Sequence, residues 1–173
     1  MNDITIINNF FSNPDEIRKI ALEQKFYCKD THPENIGNFP GMRSDYLNNI
    51  VPDLYNAMTN AQLSNVKQLI NIEDYTEYWT KFSFSYTLQD TPIKIHRDFE
   101  EGWNGFKTFF GGVLYLTPDP QANSGTIVED EIVENVYNRY VMYDATCLHG
   151  LEGSFGKTKG DARLVLTHFI YLK

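Results

Sequence analysis

Residues 78–88 read Tyr-Trp-Thr-Lys-Phe-Ser-Phe-Ser-Tyr-Thr-Leu. Phe82, Phe84, Tyr86 and Leu88 alternate with Lys81, Ser83, Ser85 and Thr87. That period of two predicts a half-buried β-strand. Downstream, the runs 93–96, 107–117, 125–128, 132–137, 140–143 and 164–171 also have strand character, and turn residues separate them. Many short strands at close spacing predict a β-sandwich or barrel. Upstream the pattern differs. A short apolar strand is expected at 4–7. Ser12-Asn13-Pro14-Asp15-Glu16 then reads as a helix start, with a cap, a first-turn proline and two acids at the positive end of the dipole. Ile17, Ile20 and Ala21 carry that helix to about residue 25. Residues 28–46, rich in Pro, Gly, Asn and Asp, predict a loop, and a second helix is expected over 52–70.

The chain has 173 residues, the size of about one domain. We expect a single domain over 1–173, with a helical support at 1–75 and a β-core at 76–173. Fifteen basic against 23 acidic residues leave a net charge of −8. Without a Lys/Arg cluster, that excludes an electrostatic footprint for nucleic acid or an anionic membrane. An apolar fraction of 42% and an aromatic fraction of 14% exclude disorder as a class. Cys28 and Cys147 make neither a disulfide framework nor a C-x-x-C site. The start carries no signal-peptide pattern and no run approaches a membrane span, so a reducing cytoplasm is the expected location.

Two motifs mislead. Gly156-Lys157-Thr158 ends like a phosphate loop, but Leu151 stands where the first glycine belongs, and too little chain follows for the helix and acidic metal ligand. His96-Arg97-Asp98 looks like a kinase catalytic loop, but Trp103 stands where its asparagine should be and no Asp-Phe-Gly follows.

His96 and Asp98 carry more weight as metal ligands. Two apart on an extended segment, their side chains share one face, with Cα atoms roughly 6.5–7 Å apart. The chain has four histidines, His32, His96, His149 and His168. His149 closes the apparent strand run 140–148 and precedes Gly150. Two His and one carboxylate on one face of an octahedral ion leave the opposite face open, as in non-haem Fe(II) oxygenases. With 12 Asp among 173 residues, a His-x-Asp arises by chance roughly a quarter of the time. The full order, His-x-Asp, a His some 50 residues later and then Arg163 at the head of the apolar run 163–170, is far rarer. An arginine leading a buried strand needs an anion, and a dicarboxylate cosubstrate supplies one bidentately. A structural pair with an Asp or Glu is the alternative. His168 alternates out of phase with Arg163 and reads as structural.

The region 86–169 resembles the 2-oxoglutarate- and Fe(II)-dependent oxygenases, particularly their prolyl-hydroxylase-like branch. His96-Arg97-Asp98 resembles the first two iron ligands. Gly112 to Thr117 is similar to the strand that follows them, and Ser124-Gly125-Thr126 to the turn after it. Tyr143 to Gly150 resembles the segment carrying the last ligand, His149, and Asp161-Ala162-Arg163 the 2-oxoglutarate carboxylate site. Asn9 to Pro14 resembles the helical support such proteins carry. The interval from His149 to Arg163 is longer than usual because of a Gly-rich hairpin at 150–160.

The resemblance implies a mainly β, α+β fold, a double-stranded β-helix of jelly-roll (cupin-like) type with N-terminal supporting helices. It implies Fe(II) at His96, Asp98 and His149, and 2-oxoglutarate held through its C5 carboxylate by Arg163. Tyr115 matches a tyrosine that bonds that carboxylate, and Tyr86 one near the keto-acid end. With O2, oxidative decarboxylation to succinate and CO2 drives hydroxylation of a C–H bond. The substrate is expected to be a prolyl or other residue in a peptide, or a small metabolite. Residues 99–110 have the glycines of a mobile lid, and Trp103 and Phe106 suit substrate contact. Two competing readings are a non-catalytic jelly-roll module with a vestigial site and a cupin-like metal enzyme that needs no Arg163.

Overall fold

The computed structural model describes residues 4–34, 39–98 and 108–173. The strands are β1 (Thr5–Ile7), β2 (Phe26–Tyr27), β3 (Met42–Ser44), β4 (Tyr78–Thr87), β5 (Thr108–Tyr115), β6 (Thr126–Val128), β7 (Glu131–Val133), β8 (Tyr140–Asp144), β9 (His149–Leu151) and β10 (Arg163–Leu172). The helices are α1 (Pro14–Glu23), α2 (Leu47–Ile50) and α3 (Pro52–Val66). Seven strands form one sheet in the order β1-β8-β5-β10-β4-β3-β2, and three form a second in the order β7-β6-β9, all paired antiparallel. The architecture is a double-stranded β-helix, a jelly roll of the mainly β, α+β class. No described helix is long and apolar enough to cross a membrane.

The centre of the fold is the ten-residue pairing of β4 with β10, from Arg163 opposite Thr87 to Leu172 opposite Tyr78. Even-numbered side chains on both strands turn to the helices. Phe82, Phe84, Leu164, Leu166 and Ile170 pack there with Leu54 and Met58 of α3. Each such apolar side chain contributes roughly 1.5–3 kcal/mol by leaving water. Odd-numbered side chains turn the other way, toward the second sheet. There the expectation of a half-buried strand needs correction: Ser83, Ser85 and Thr87 are only 3%, 7% and 4% exposed. Their polar face looks across a cavity at the second sheet instead of at bulk water.

Four further expectations are corrected. The loop at 28–46 contains β3, which joins β2 to β4. Gly41 precedes it with φ +69°, where an added Cβ would run into the Tyr86 carbonyl. A three-residue strand beside such turn residues has too few positions to display alternation. Residues 93–98 form no strand, only a single bridge from His96 to His149. The run 140–148 is broken after Asp144, whose carboxylate accepts from Thr146 N (2.9 Å) and Thr146 Oγ1 (2.7 Å). That side-chain turn sends the chain to the other sheet, so His149 opens a strand and does not close one. The region before residue 76 supplies three strands to the larger sheet besides its helices, and the helix expected over 52–70, α3, stops at Val66.

His168 lies on the helix side, as its phase predicts. It is fully buried and stacks on Tyr140 with ring centroids 4.5 Å apart. Gln62 Nε2 donates to its Nδ1 (3.0 Å), so its Nε2 carries the proton and donates to the Val141 carbonyl (2.8 Å). Burial, opposed by that carbonyl, pushes its pKa down to about 3. The unfolded chain, with a His pKa of about 6.5, takes a proton that the native state refuses. His168 therefore favours folding above about pH 6.5, and this contribution drains away as pH falls toward 3, at most about 1.4 kcal/mol per pH unit. Between pH 7 and pH 5, wild-type stability in urea melts should fall about 2 kcal/mol further than that of His168→Phe. Equal losses in the two proteins would show that the buried ring takes up its proton without unfolding.

Candidate metal centre and its cavity

The second sheet carries the metal group. His96 N donates to His149 O (2.9 Å), and His149 N donates back to His96 O (2.8 Å). Such a reciprocal pair projects both imidazoles to one side. Asp98, two residues on, shares that side, and its own amide donates to Ala145 O (3.2 Å). Between the ligands, Arg97 points away and donates to Thr146 O (2.6 Å), tying the first ligand segment to the turn before His149. Gly150 lets these segments meet, since a Cβ there would run into the Lys94 carbonyl. The ligating atoms of His96, Asp98 and His149 all lie within 4.8 Å of one another.

The protons of this group argue for a cation. His149 Nδ1 sits 2.9 Å from the Cys147 carbonyl, and His96 Nδ1 sits 3.3 Å from the Lys94 carbonyl. Each must donate there, which leaves each neutral ring's Nε2 bare. Those bare nitrogens face the Asp98 carboxylate, at 3.4 Å for His96 and 3.1 Å for His149. The Oδ2 atom is buried and accepts no hydrogen bond. Burial alone would raise the Asp98 carboxyl, but hydrogen bonds from His149 and His96, made when those rings carry a proton on Nε2, outweigh it and hold it well below the usual carboxylate range. A divalent metal ion can take the place of those protons among three converging lone-pair donors. Each ring is oriented by a carbonyl behind it, as metal-bound imidazoles require.

A cavity of about 390 Å³ separates this group from the odd-numbered face of β4 and β10. At one end stands Arg163, 2% exposed. Its Nε donates to Ser124 O (2.7 Å), and one terminal nitrogen donates to Gly125 O (3.2 Å) and Thr126 Oγ1 (3.2 Å). No described carboxylate ion-pairs with it, so the alternative of a structural Asp or Glu partner finds none among the described residues. The Ser124-Gly125-Thr126 turn thus aims the guanidinium, and Glu152, accepting from Gly125 N (2.9 Å), holds the turn.

The two tyrosines, Tyr115 and Tyr86, lie on β5 and β4. The Tyr115 hydroxyl lies 2.6 Å from Thr126 Oγ1 and donates to Val133 O (3.2 Å). Its ring lies 5.4 Å from the Arg163 guanidinium carbon. It braces Arg163 and Thr126 from behind. Tyr86 borders the cavity, but its ring packs edge-on against Phe26 at 4.9 Å, on the helix side of β4. Trp103 and Phe106, the expected lid contacts, lie outside the described residues.

The sequence reading missed several cavity residues. Thr126 joins Arg163 to Tyr115; Ser85 bonds Thr167 (3.1 Å); the Tyr143 ring lies 4.8 Å from that of His149. Arg43 enters from β3. The signal for Ser85 and Thr87 was present as the polar half of the alternation, but a cavity lining and a solvated face read alike.

No family model and no curated protein sequence matches the chain. Solved structures do. HygX from Streptomyces hygroscopicus, with nickel and 2-oxoglutarate bound, superposes with a TM-score of 0.71 at 10% identity, over 98% of this chain and 83% of that one. A Pseudomonas putida prolyl-4-hydroxylase gives 0.61 at 16%, over 100% and 93%. A Trichoplax adhaerens prolyl hydroxylase, in complex with a hypoxia-inducible-factor peptide fragment, gives 0.66 at 12%, over 99% and 84%. The chain shares the fold of these proteins. Within that fold, His96, Asp98 and His149 face Arg163 across the cavity. HygX has also been solved with hygromycin B bound, and the Trichoplax adhaerens enzyme with a peptide fragment.

Proposed function

We propose that the chain is a 2-oxoglutarate- and Fe(II)-dependent dioxygenase that hydroxylates a C–H bond of a small molecule or of a residue in a peptide. The observation that carries this is the convergence of the His96 and His149 imidazoles and the Asp98 carboxylate on a cavity closed at its far end by an arginine with no described carboxylate partner. His96, Asp98 and His149 would hold the iron at the cavity wall. Iron so bound, with 2-oxoglutarate and O2, supplies oxidative decarboxylation of the cosubstrate coupled to hydroxylation. Arg163 receives the distal carboxylate through donors not spent on Ser124, Gly125 and Thr126. Tyr115 and Thr126 keep that fork from rotating, and the covered floor of Ser83, Ser85 and Thr87 keeps bulk water from the reacting end.

Anaerobic titration tests the reading. The protein should take up one Fe(II) per chain and then, on addition of 2-oxoglutarate, develop the visible charge-transfer band of the chelate. Exposure to air with a substrate should release succinate in step with substrate oxidised. Iron uptake without any spectral response to 2-oxoglutarate would favour a cupin-like metal enzyme, and failure to bind iron a non-catalytic module.

A further inference from the structure

The cavity holds more positive charge than one diacid needs. Its described lining includes four cations, Arg43, Lys81, Lys94 and Arg163, and one carboxylate, Asp98. That formal excess of three stands inside a chain whose net charge is −8. A divalent metal and the doubly negative cosubstrate cancel each other, so the excess remains once both are bound. Positive charge gathered in a concave, low-dielectric site of an acidic protein selects an anion.

Arg43 is where that anion would sit. It pairs with Ser85 from the far side of β4, while Arg163 pairs with Thr87 from the near side. Two strand spacings and two residues place their Cα atoms about 12 Å apart. A diacid held between the metal group and Arg163 therefore leaves Arg43 facing the rest of the cavity. Its Nε donates to Ser85 Oγ (3.2 Å), and its guanidinium carbon lies 4.5 Å from the Phe39 ring. No described carboxylate ion-pairs with it. Burial lowers its pKa against the pull of Tyr46 and Asp98, the cost of a desolvated charge awaiting a partner. With Nε taken and one face covered by Phe39, the two terminal nitrogens remain as an end-on fork, which matches the two oxygens of a carboxylate. Lys81, whose ammonium lies 4.3 Å from the Trp79 ring and 5.2 Å from Tyr46, adds to the field at the same end.

We infer that Arg43 anchors a carboxylate on the substrate, and that the molecule oxidised is a small carboxylic acid of amino-acid size. The inference rests on the oxygenase reading above and narrows it. A cavity of about 390 Å³ has room for such an acid beside the cosubstrate.

Calorimetry on the protein loaded with nickel, which does not turn over, and 2-oxoglutarate tests this. The probes are the twenty L-amino acids and four- to six-carbon monocarboxylic acids, each beside its primary amide. At least one acid should bind tenfold or more tighter than its amide. Arg43→Gln should remove that preference, Arg43→Lys should restore part of it, and both should bind 2-oxoglutarate within twofold of wild type. Should Arg43→Gln fail to fold, the acid-against-amide comparison on wild type decides alone. A wild type that binds nickel and 2-oxoglutarate but prefers no acid overturns this inference only. So does an Arg43→Gln protein that loses 2-oxoglutarate instead. A wild type that binds neither nickel nor 2-oxoglutarate overturns the oxygenase reading and this inference with it.

Discussion

His149→Ala will lose iron by at least 100-fold while keeping its fold. Three donors converge in the native chain, and removing the one contributed by β9 leaves His96 and Asp98, a two-donor chelate on a segment that pairs through a single bridge. The backbone of residue 149 survives the substitution, so the reciprocal bonds to residue 96 and the anchoring of β9 on β6 should persist. What disappears is the Nε2 donor together with the Nδ1 bond to the Cys147 carbonyl that orients it. Loss of an orienting group alone typically costs 10–100-fold in metal affinity, and loss of a ligand costs more. Competition against a chromophoric chelator under nitrogen measures the effect, with thermal melts of the metal-free proteins as the folding control. Unchanged iron affinity would remove His149 from the ligand set.

Arg163→Ala will lose 2-oxoglutarate binding by roughly 100-fold or more, because a desolvated, charge-assisted fork contributes about 1.5–3 kcal/mol per hydrogen bond to a charged group. The variant also leaves the carbonyls of Ser124 and Gly125 without their donor, at about 1–3 kcal/mol for a buried unpaired polar group, so a lower melting temperature should accompany the lost affinity. Arg163→Lys separates the two effects. An ammonium can reach one carbonyl but cannot reach the turn and hold a carboxylate bidentately at once. It should recover part of the stability and little of the affinity. Anaerobic titration of the iron-loaded variants with 2-oxoglutarate reads the affinity. Wild-type affinity in Arg163→Ala would make the arginine structural.

The reach of sequence reading here followed physical scale. Period-two alternation at Phe82, Phe84 and Tyr86 was legible because one side of β4 packs on helices. His96 and Asp98 were legible as a pair because any extended backbone puts positions two apart on one side, with or without a formal strand. The turn at Asp144 was not, since Tyr140 to Leu148 keeps an apolar character across the break and the switch of sheets depends on one carboxylate capping Thr146. Arg43 was hidden for a similar reason. Its strand is three residues long, lies among Pro, Gly and Asn, and acquires meaning only by pairing with Ser85 some 40 positions away. The surroundings of the tyrosines were not legible either: Tyr115 bonds Thr126 and Val133, and the Tyr86 ring packs on Phe26, partners that only the fold brings near.

The strict division of labour along β4 and β10 has a consequence for how such a protein can change. Even positions carry Phe82, Phe84, Leu164, Leu166 and Ile170 into the apolar layer, while odd positions carry Ser83, Ser85, Thr87, Val165 and Thr167 into the cavity. Exchanges at odd positions alter what the cavity accepts without opening a void beneath the helices. Exchanges at even positions do the reverse. A lineage on this scaffold can therefore trade one molecule for another by replacements at those five odd positions that leave the apolar layer beneath the helices intact.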